Sequence, residues 1–174
     1  MRPRFCPDCG GRLELRDVEG KERSFCTRCA RVHYAQLKVG AGGLIVQEGR
    51  LLPIKRTRDP FSGCWNLPAG YAEADEAPVE TVVREVWEET GLRVEPAGLV
   101  DLYYFDDDWR GNGILIVYAC RVAVGLPQAT SEGAMPTFFA PGDVPRELAG
   151  AGHDQAVRAW MRAQRPRSRS QEGI

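Results

Sequence analysis

Residues 70–92 read GYAEADEAPVETVVREVWEETGL, and this stretch decides the fold around it. Pro78 suits the first turn of a helix, because its missing N–H would be unpaired there in any case. Gly91 suits the position just past a helix end, where a left-handed backbone is needed. Four residues between them recur at helical spacing, namely Val79, Val82, Val83 and Val86. The segment therefore predicts a helix over 78–90 with a buried valine stripe.

Three glutamates share one face of this predicted helix. Glu85, Glu88 and Glu89 stand at i, i+3 and i+4, so their side chains gather together. Carboxylates this close repel one another unless a cation neutralises them. An all-oxygen ligand set favours Mg²⁺ or Mn²⁺ over zinc. A solvated acidic helix face is the alternative interpretation of the same residues.

The same stretch has the spacing Gly-x5-Glu-x7-Arg-Glu-U-x-Glu-Glu-x-Gly-U, where U is a bulky aliphatic residue. It resembles the Nudix box at every fixed position, and the preceding Trp65-Asn-Leu-Pro-Ala-Gly70 is a lead-in typical of that family. The resemblance implies a metal-dependent hydrolase that cuts nucleoside diphosphates linked to another group. It also implies an α/β fold, the Nudix α/β/α sandwich with a mixed sheet. Gly70, Glu76 and Gly91 are its structural positions.

The resemblance also implies roles for single residues. It assigns Mg²⁺ or Mn²⁺ ligation to a backbone carbonyl near Ala69. It assigns the same role to the side chains of Glu85, Glu88 and Glu89. Arg84 pairs with Glu76 or orients a catalytic glutamate, since a planar guanidinium matches a carboxylate. Many members take a further glutamate from a downstream loop, for which Glu132 is the candidate and Glu147 the runner-up. The predicted catalytic set is Glu85, Glu88, Glu89, Arg84 and Glu132, with the choice of general base open.

A second motif lies near the N-terminus. Cys6 and Cys9 form one Cys-x2-Cys pair, and Cys26 and Cys29 form another 16 residues later. This spacing is typical of a four-cysteine zinc ribbon, whose filled coordination sphere makes the zinc structural. Two disulfides or a redox pair are the alternatives. We expect a cytoplasmic protein with reduced thiols, because the sequence shows no secretory signal. His33 is interpreted as linker.

Length and composition set the outline of the chain. Its 174 residues, 43% of them hydrophobic, fit one ordinary domain plus a small module. We expect a zinc ribbon over 1–34, a hydrolase domain over 35–164 and a basic, disordered tail over 165–174. The net charge of −1 gives no overall attraction to nucleic acid, and no apolar run approaches the length of a membrane span. The resemblance implies a homodimer.

Periodicity and turn residues predict the remaining elements. Strands are expected at 12–16, 21–25, 38–47, 50–55, 93–104, 114–124 and 137–139. Helical segments are expected at 145–148, as a single turn, and at 153–163. Cys120 ends an apolar strand and is expected to be a small core residue.

The substrate is less sharply indicated than the chemistry. A nucleotide is expected, with ADP-ribose, FAD and NADH as first candidates. The alternatives are nucleotide-pool cleansing of oxidised nucleoside triphosphates and a non-catalytic nucleotide sensor. Asp108 and Trp109 stand where some subfamilies carry a marker proline and a marker tyrosine. Residues expected to bind substrate, by phosphate pairing or ring stacking, are Arg56, Trp65, Tyr103, Tyr104 and Trp109.

Overall fold

A computed structural model describes residues 3–130 and 136–165 of the chain. The chain divides into two compact units, Met1–Leu37 and Lys38–Ile174. From residue 166 onward, the predicted basic tail lies outside the described residues.

The N-terminal unit is a small antiparallel sheet. Its three strands, in the order β1-β2-β3, are Leu13–Val18, Lys21–Cys26 and Arg31–His33. The first two form the predicted hairpin, and Glu19 and Gly20 make its turn with φ of 54° and 75°. The third strand was not predicted. The interpretation of His33 as linker was wrong, because this residue pairs with Ser24 in the sheet.

The larger unit carries the remaining strands and both helices. Its strands are β4 Lys38–Gln47, β5 Arg50–Leu51, β6 Ile54–Lys55, β7 Trp65–Asn66, β8 Ala69–Tyr71, β9 Arg93–Phe105 and β10 Gly113–Val124. Its helices are α1 Pro78–Thr90 and α2 His153–Ala163. The main sheet has the order β5-β4-β10-β9, with β8 also paired to β4. Strands β4 and β10 are parallel and the other pairs antiparallel, so the predicted mixed sheet is confirmed.

Helix α1 has the predicted ends. Pro78 occupies its first position, and the Glu80 side chain accepts the Ala77 N–H at 2.9 Å. Gly91 ends it in the left-handed conformation, with φ of 71° and its N–H donated to the Trp87 carbonyl. A side chain at this φ is strained, so glycine is the residue that closes the helix without cost.

The buried face of α1 is narrower than the valine pattern predicted. Val82 and Val86 are fully buried, but Val79 and Val83 are 40% and 37% exposed. Each residue is rotated by about 100° from the last, so Val83 points well away from the line of Val82. The helix can approach the sheet closely because Gly43 of β4 has no side chain. A Cβ there would lie 2.8 Å from a Val86 methyl group.

The sheet has a hydrophobic cluster on each face. One cluster joins α1 to the sheet through buried residues that include Ala41, Ile45 and the predicted core residue Cys120. The other joins α2 to the opposite face through Leu115 and Val117 of β10. Alternate β4 residues point to opposite sides, as the pleat of a strand requires. The two-sided arrangement confirms the predicted α/β/α sandwich.

Three predicted elements differ from the structure. The expected strand over 50–55 is split into β5 and β6, which pair with different strands, because Pro53 between them has no N–H to donate. The expected strand over 137–139 is a single bridge between Leu51 and Phe139. The expected helical turn over 145–148 is absent from the structure: the segment bends at Arg146, and Leu148 forms a bridge with Trp65.

Candidate functional site

Glu85 and Gly70 meet where α1 passes β8. The Glu85 carboxylate occupies the space that a Cβ at Gly70 would fill, so any larger residue would displace it. The Glu85 side chain is only 12% exposed, whereas that of Glu88, one turn further on, is 41% exposed. Glycine at position 70 therefore sets how deeply the first glutamate is held.

Arg84 is the centre of the polar network at this site. Its Nη1 donates to Glu85 at 2.6 Å and to Glu88 at 3.1 Å. Its Nε and Nη2 donate to the two carboxylate oxygens of Glu76 at 2.9 and 2.8 Å. Nη2 also donates to the Tyr71 carbonyl at 3.2 Å. The Arg84 guanidinium thus joins the segment before α1 to two carboxylates of the helix. Its pairing with Glu76 is as predicted.

Glu76 is held ionised by these contacts. The Arg84 guanidinium, together with the Thr81 hydroxyl that donates to Glu76 at 2.8 Å, lowers the pKa of this carboxyl to about 2. Hydrogen bonds to the charged form favour that form. Glu76 is therefore a carboxylate paired with Arg84 at neutral pH.

The Glu89 carboxylate is held by the backbone of β8. Its Oε2 accepts the Ala69 N–H at 2.8 Å. Ala69 therefore lies beside the glutamates through its N–H, while ligation by its carbonyl stays a prediction.

The box glutamates have the chemistry that a hard cation requires. Carboxylate oxygens are the ligands that Mg²⁺ and Mn²⁺ prefer, and Glu85 and Glu89 are fixed at the loop between β7 and α1. Among the described residues, the sets of three or more ligand atoms within 4.8 Å of one another lie in the N-terminal unit. At α1 the Arg84 guanidinium instead holds two of the carboxylates. The three glutamates thus have the ligand chemistry for a divalent cation and share one helix face, but their oxygens do not form a cluster within 4.8 Å.

The two downstream glutamates gain no support from the structure as members of this site. Glu132 lies outside the described residues. Glu147 is exposed, and its carbonyl accepts the Trp65 N–H at 2.8 Å. It is absent from the residues that line the cavity beside Glu89.

That cavity has a volume of about 210 Å³. It opens beside Glu89 and lies between the 56–61 loop, the loop before α1, the end of β9 and the start of α2. Its lining residues are Gly40, Arg56, Thr57, Arg58, Phe61, Ala69, Gly70, Tyr71, Glu89, Phe105, Arg110, Leu115, Ala151 and His153. A concave site with a few polar groups next to a carboxylate cluster is the form that small-ligand sites take.

Arg56 is the one predicted substrate residue that the structure brings to this cavity. Its Nε donates to the Pro60 carbonyl at 2.8 Å, and burial lowers the pKa of its guanidinium. The four predicted aromatic residues do not line the cavity. Trp65 packs edge-on against Phe139, and Tyr103 is a core residue with 9% exposure.

The other two aromatic residues are largely exposed. Tyr104 is 52% exposed and accepts a hydrogen bond from Asn112, and Trp109 is 74% exposed. Both side chains lie away from the cavity lining, so their predicted stacking role gains no support from its geometry.

The structure adds polar residues that sequence reasoning missed. Asp108 is buried and accepts two hydrogen bonds from Arg110 Nε, a third from Arg110 Nη2 and a fourth from the Tyr71 hydroxyl at 3.1 Å. The arginine lowers the pKa of the Asp108 carboxyl to about 2. His153 also lines the cavity and is buried. The short spacing Asp-x-Arg was the one signal in the sequence for this group.

The four cysteines of the N-terminal unit converge as predicted. Their sulfur atoms lie within 4.8 Å of one another, with 3.7 Å between Cys6 and Cys29 and 3.5 Å between Cys9 and Cys26. A tetrahedron of sulfur atoms about 2.3 Å from zinc has edges of about 3.8 Å, so the cluster fits this ion. All four are free thiols, which contradicts the alternative of two disulfides.

The cluster has further features that bear on metal binding. The backbone N–H of Cys29 lowers the pKa of the Cys26 thiol to about 7, whereas burial raises the pKa of the Cys29 thiol to about 12. A metal would bind these cysteines in their thiolate form. His33 Nε2 lies 3.3 Å from Cys6 Sγ, and with Cys6 and Asp8 it forms a second set of possible ligands.

Within the described residues, no helix is both long and apolar enough to cross a membrane.

The two units each resemble a known family. Residues 36–161 match the NUDIX domain, and residues 4–35 match the Nudix N-terminal zinc-ribbon domain. An ADP-ribose pyrophosphatase of Methanocaldococcus jannaschii is 35% identical over 130 residues, which cover 74% of this chain and 76% of that protein.

Solved structures agree with these matches. A NUDIX hydrolase from Nitrosomonas europaea has a TM-score of 0.78 at 27% identity, covering 93% of this chain and 92% of that one. An ADP-ribose pyrophosphatase from Streptococcus suis has a TM-score of 0.60 at 28% identity, covering 76% of this chain and 96% of that one.

Proposed function

The chain belongs to the Nudix family and is a Nudix pyrophosphohydrolase, and from that premise we propose that it cleaves the pyrophosphate of a nucleoside diphosphate linked to another group. ADP-ribose is the first candidate, ahead of FAD and NADH, and AMP is the expected product. The observation that carries the proposal is the intact set of box glutamates beside the Arg56 cavity. Similarity to two ADP-ribose pyrophosphatases supports the choice of first candidate.

We propose that Glu85, Glu88 and Glu89 hold Mg²⁺ or Mn²⁺. Such an ion, when bound, offsets the charge of the diphosphate and activates a water for attack on phosphorus. Gly70 allows Glu85 to sit deeply, and the Ala69 N–H orients Glu89. These contacts hold the ligands in place before substrate arrives, which is where most of the catalytic advantage of such a site originates.

Arg84 and Arg56 have separate positioning roles in this proposal. Arg84 fixes the side chains of Glu85 and Glu88 from one side. Arg56, immobilised by the Pro60 carbonyl, offers its remaining N–H groups to a phosphate in the cavity. A guanidinium is suited to this because its planar fork matches two phosphate oxygens.

We propose zinc as the ion of the four cysteines and a structural role for it. The sulfur distances and the absence of any disulfide among these cysteines support a thiolate site in a reducing compartment such as the cytoplasm. A homodimer is proposed as well. The edge strand β9 presents Leu99, Val100 and Leu102, which are 57%, 43% and 51% exposed. A monomeric mass in light scattering would contradict the dimer.

The test of the activity is a hydrolysis panel with Mg²⁺ or Mn²⁺, its products separated by chromatography. The panel contains ADP-ribose, FAD, NADH and oxidised dGTP. Glu89→Gln is the blank, and Glu95→Gln, on the exposed face of β9, is the matched control with one charge removed elsewhere. We expect ADP-ribose to lead the panel with release of AMP. A leading triphosphate substrate would favour nucleotide-pool cleansing, and a flat panel with folded, metal-loaded protein would favour a sensor.

A further inference from the structure

The cavity beside Glu89 is cationic, but only some of its charge is available to a ligand. Arg110 lines it and gives three of its hydrogen bonds to the buried Asp108 carboxylate, which offsets the arginine charge. Arg110 also lies over the Tyr71 ring, 5.3 Å from the ring centre. The pair therefore forms a fixed wall of the cavity.

Arg56 differs from Arg110 in its surroundings. Among the described residues, Arg56 forms no ion pair within 4 Å, and its pKa is lowered chiefly by burial, which the charge of the Glu89 carboxylate partly offsets. A half-buried charge without an ion pair is costly, and an anionic ligand removes that cost. Arg58 also lines the cavity but is exposed to solvent, so Arg56 is the half-buried cation that an anionic ligand would meet.

His153 is the other polar group of the cavity without a complement. It is the first residue of α2 and is 6% exposed, yet its Nδ1 has no hydrogen-bond partner. Burial, with the charge of Arg56 adding to it, lowers the pKa of this imidazole to about 3. The ring is therefore neutral at neutral pH and offers one N–H donor and one acceptor.

The tautomer follows from the unpartnered nitrogen. A buried N–H that donates to nothing is less common than a buried acceptor without a donor, so we assign the proton to Nε2. Nδ1 is the ring nitrogen that is buried without a partner, and we therefore infer that Nε2 is the nitrogen that meets a ligand in the cavity. A neutral N–H donor in this position cannot attract a phosphate as a cation would, but it can pair with an oxygen or nitrogen of a neutral group.

We propose, on the basis of the function proposed above, that His153 is a specificity-determining residue that hydrogen-bonds a neutral polar group of the nucleotide substrate while Arg56 holds the adjoining phosphate. The neutral group comes from the nucleoside half, as a base edge or a ribose hydroxyl, or from a hydroxyl of the sugar attached to the diphosphate. The cavity volume of about 210 Å³ restricts the occupant to one such unit beside its phosphate.

The experiment measures binding of the two halves of ADP-ribose, AMP and ribose 5-phosphate, by calorimetry with Mg²⁺ present. The variants are His153→Met, an apolar side chain of similar reach, and His153→Gln, whose amide N–H comes close to the position of Nε2. Thermal unfolding confirms that each variant is folded. If His153→Met fails to fold, His153→Asn replaces it, because the shorter amide cannot reach as far.

We expect His153→Met to weaken one of the two ligands about tenfold, the scale of one lost neutral hydrogen bond, and His153→Gln to restore most of that loss. A loss for AMP places the neutral group in the nucleoside, and a loss for ribose 5-phosphate places it in the attached sugar. In turnover of ADP-ribose, His153→Met is expected to raise KM more than it lowers kcat. Equal affinities in all variants, or an equal loss for both ligands, would overturn the inference.

Failure of this inference differs from failure of the proposed function. If the wild-type protein binds AMP through His153 but hydrolyses no member of the panel, the proposed function is refuted and the His153 contact is supported. If ADP-ribose is hydrolysed with the same kcat and KM by wild type and His153→Met, the inference is refuted and the function is supported.

Discussion

The N-terminal unit and the larger unit have different kinds of interior. In the described part of the first unit, the buried residues are Cys6, Cys26 and Ser24. The larger unit buries a hydrophobic cluster on each face of its sheet. A segment of about 35 residues cannot bury enough apolar surface to fold by that means alone, so we expect a metal at the four cysteines to replace the core. One chain thus uses a coordination site in one unit and side-chain packing in the other.

The same contrast appears in the polar groups. In the N-terminal unit, the clustered thiols are themselves the interior. In the larger unit, the clustered carboxylates lie at the edge of a packed fold and are held by Arg84 and by the Ala69 N–H. Loss of the ion from the cysteine cluster is therefore expected to unfold the N-terminal unit. Loss of the ion from the glutamates is expected to leave the larger unit folded but inactive.

The largest expected effect is on the N-terminal unit. Cys26→Ser should remove bound zinc and unfold residues 3–37, since a four-cysteine site contributes on the order of 10 kcal/mol to such modules. Metal analysis and the backbone NMR spectrum measure this, with Cys64→Ser, a thiol outside the cluster, as the control. If the larger unit stays folded but turnover is lost, the ribbon is part of the active site.

The next effect concerns Arg84 in the larger unit. Arg84→Lys removes the fork that joins Glu76, Glu85 and Glu88, and an ammonium group cannot reproduce it. We expect roughly 10–100-fold lower kcat and about 1–2 kcal/mol lower free energy of unfolding, given the partial exposure of the side chain. Arg93→Lys, an arginine exposed at the start of β9, is the control. Wild-type kcat in Arg84→Lys would show that the network is dispensable.

Side-chain packing of α1 gives a smaller, purely structural effect. Val86→Ala should lower the free energy of unfolding by about 2 kcal/mol, because a fully buried side chain leaves a cavity against Gly43. Val83→Ala, on the exposed side of the same helix, should cost less than about 0.5 kcal/mol. Urea denaturation of the pair measures both. Equal losses would contradict the narrow buried face.

The effect that is smallest near neutral pH, and that grows only in acid, is a pH dependence that involves His153. Its folded pKa of about 3 lies below the ordinary value of 6.5, so between these values the unfolded chain binds a proton that the folded chain does not. The free energy of unfolding is therefore highest above pH 6.5, where the ring is neutral in both states. It falls as the pH falls towards 3, with a slope of up to about 1.4 kcal/mol per pH unit. His153→Gln should lack this component. Parallel stability curves for the two proteins between pH 7 and 5 would refute it.

Much of the candidate site could be predicted from local sequence. The spacing of Glu85, Glu88 and Glu89 fixes a shared helix face, because the geometry of a helix is local. Pro78 and Gly91 fix the ends of that helix for the same reason. The two Cys-x2-Cys pairs predict convergence because a metal site demands it. The 78–90 helix, the long strands and the α2 bounds were therefore expected correctly.

The errors have one physical cause, which is contact between residues distant in sequence. Val79 and Val83 look like core residues, but only the line through Val82 and Val86 meets the sheet. His33 resembles a linker until the third strand brings it to Cys6. Segment 145–148 is not helical because Leu148 pairs with Trp65, about eighty residues earlier in the chain.

The sequence by itself determined the family, the order of the long strands and the two helices, and the glutamates that we propose as ligands of a divalent cation, because each rests on short-range spacing. Only the tertiary structure decided the ligand cavity. Asp108 and Arg110 share one loop, Arg56 comes from a second loop and His153 from a helix start, and no sequence spacing joins these three places. The folded sheet brings them together, and burial then makes one of them a neutral imidazole beside an arginine without an ion pair.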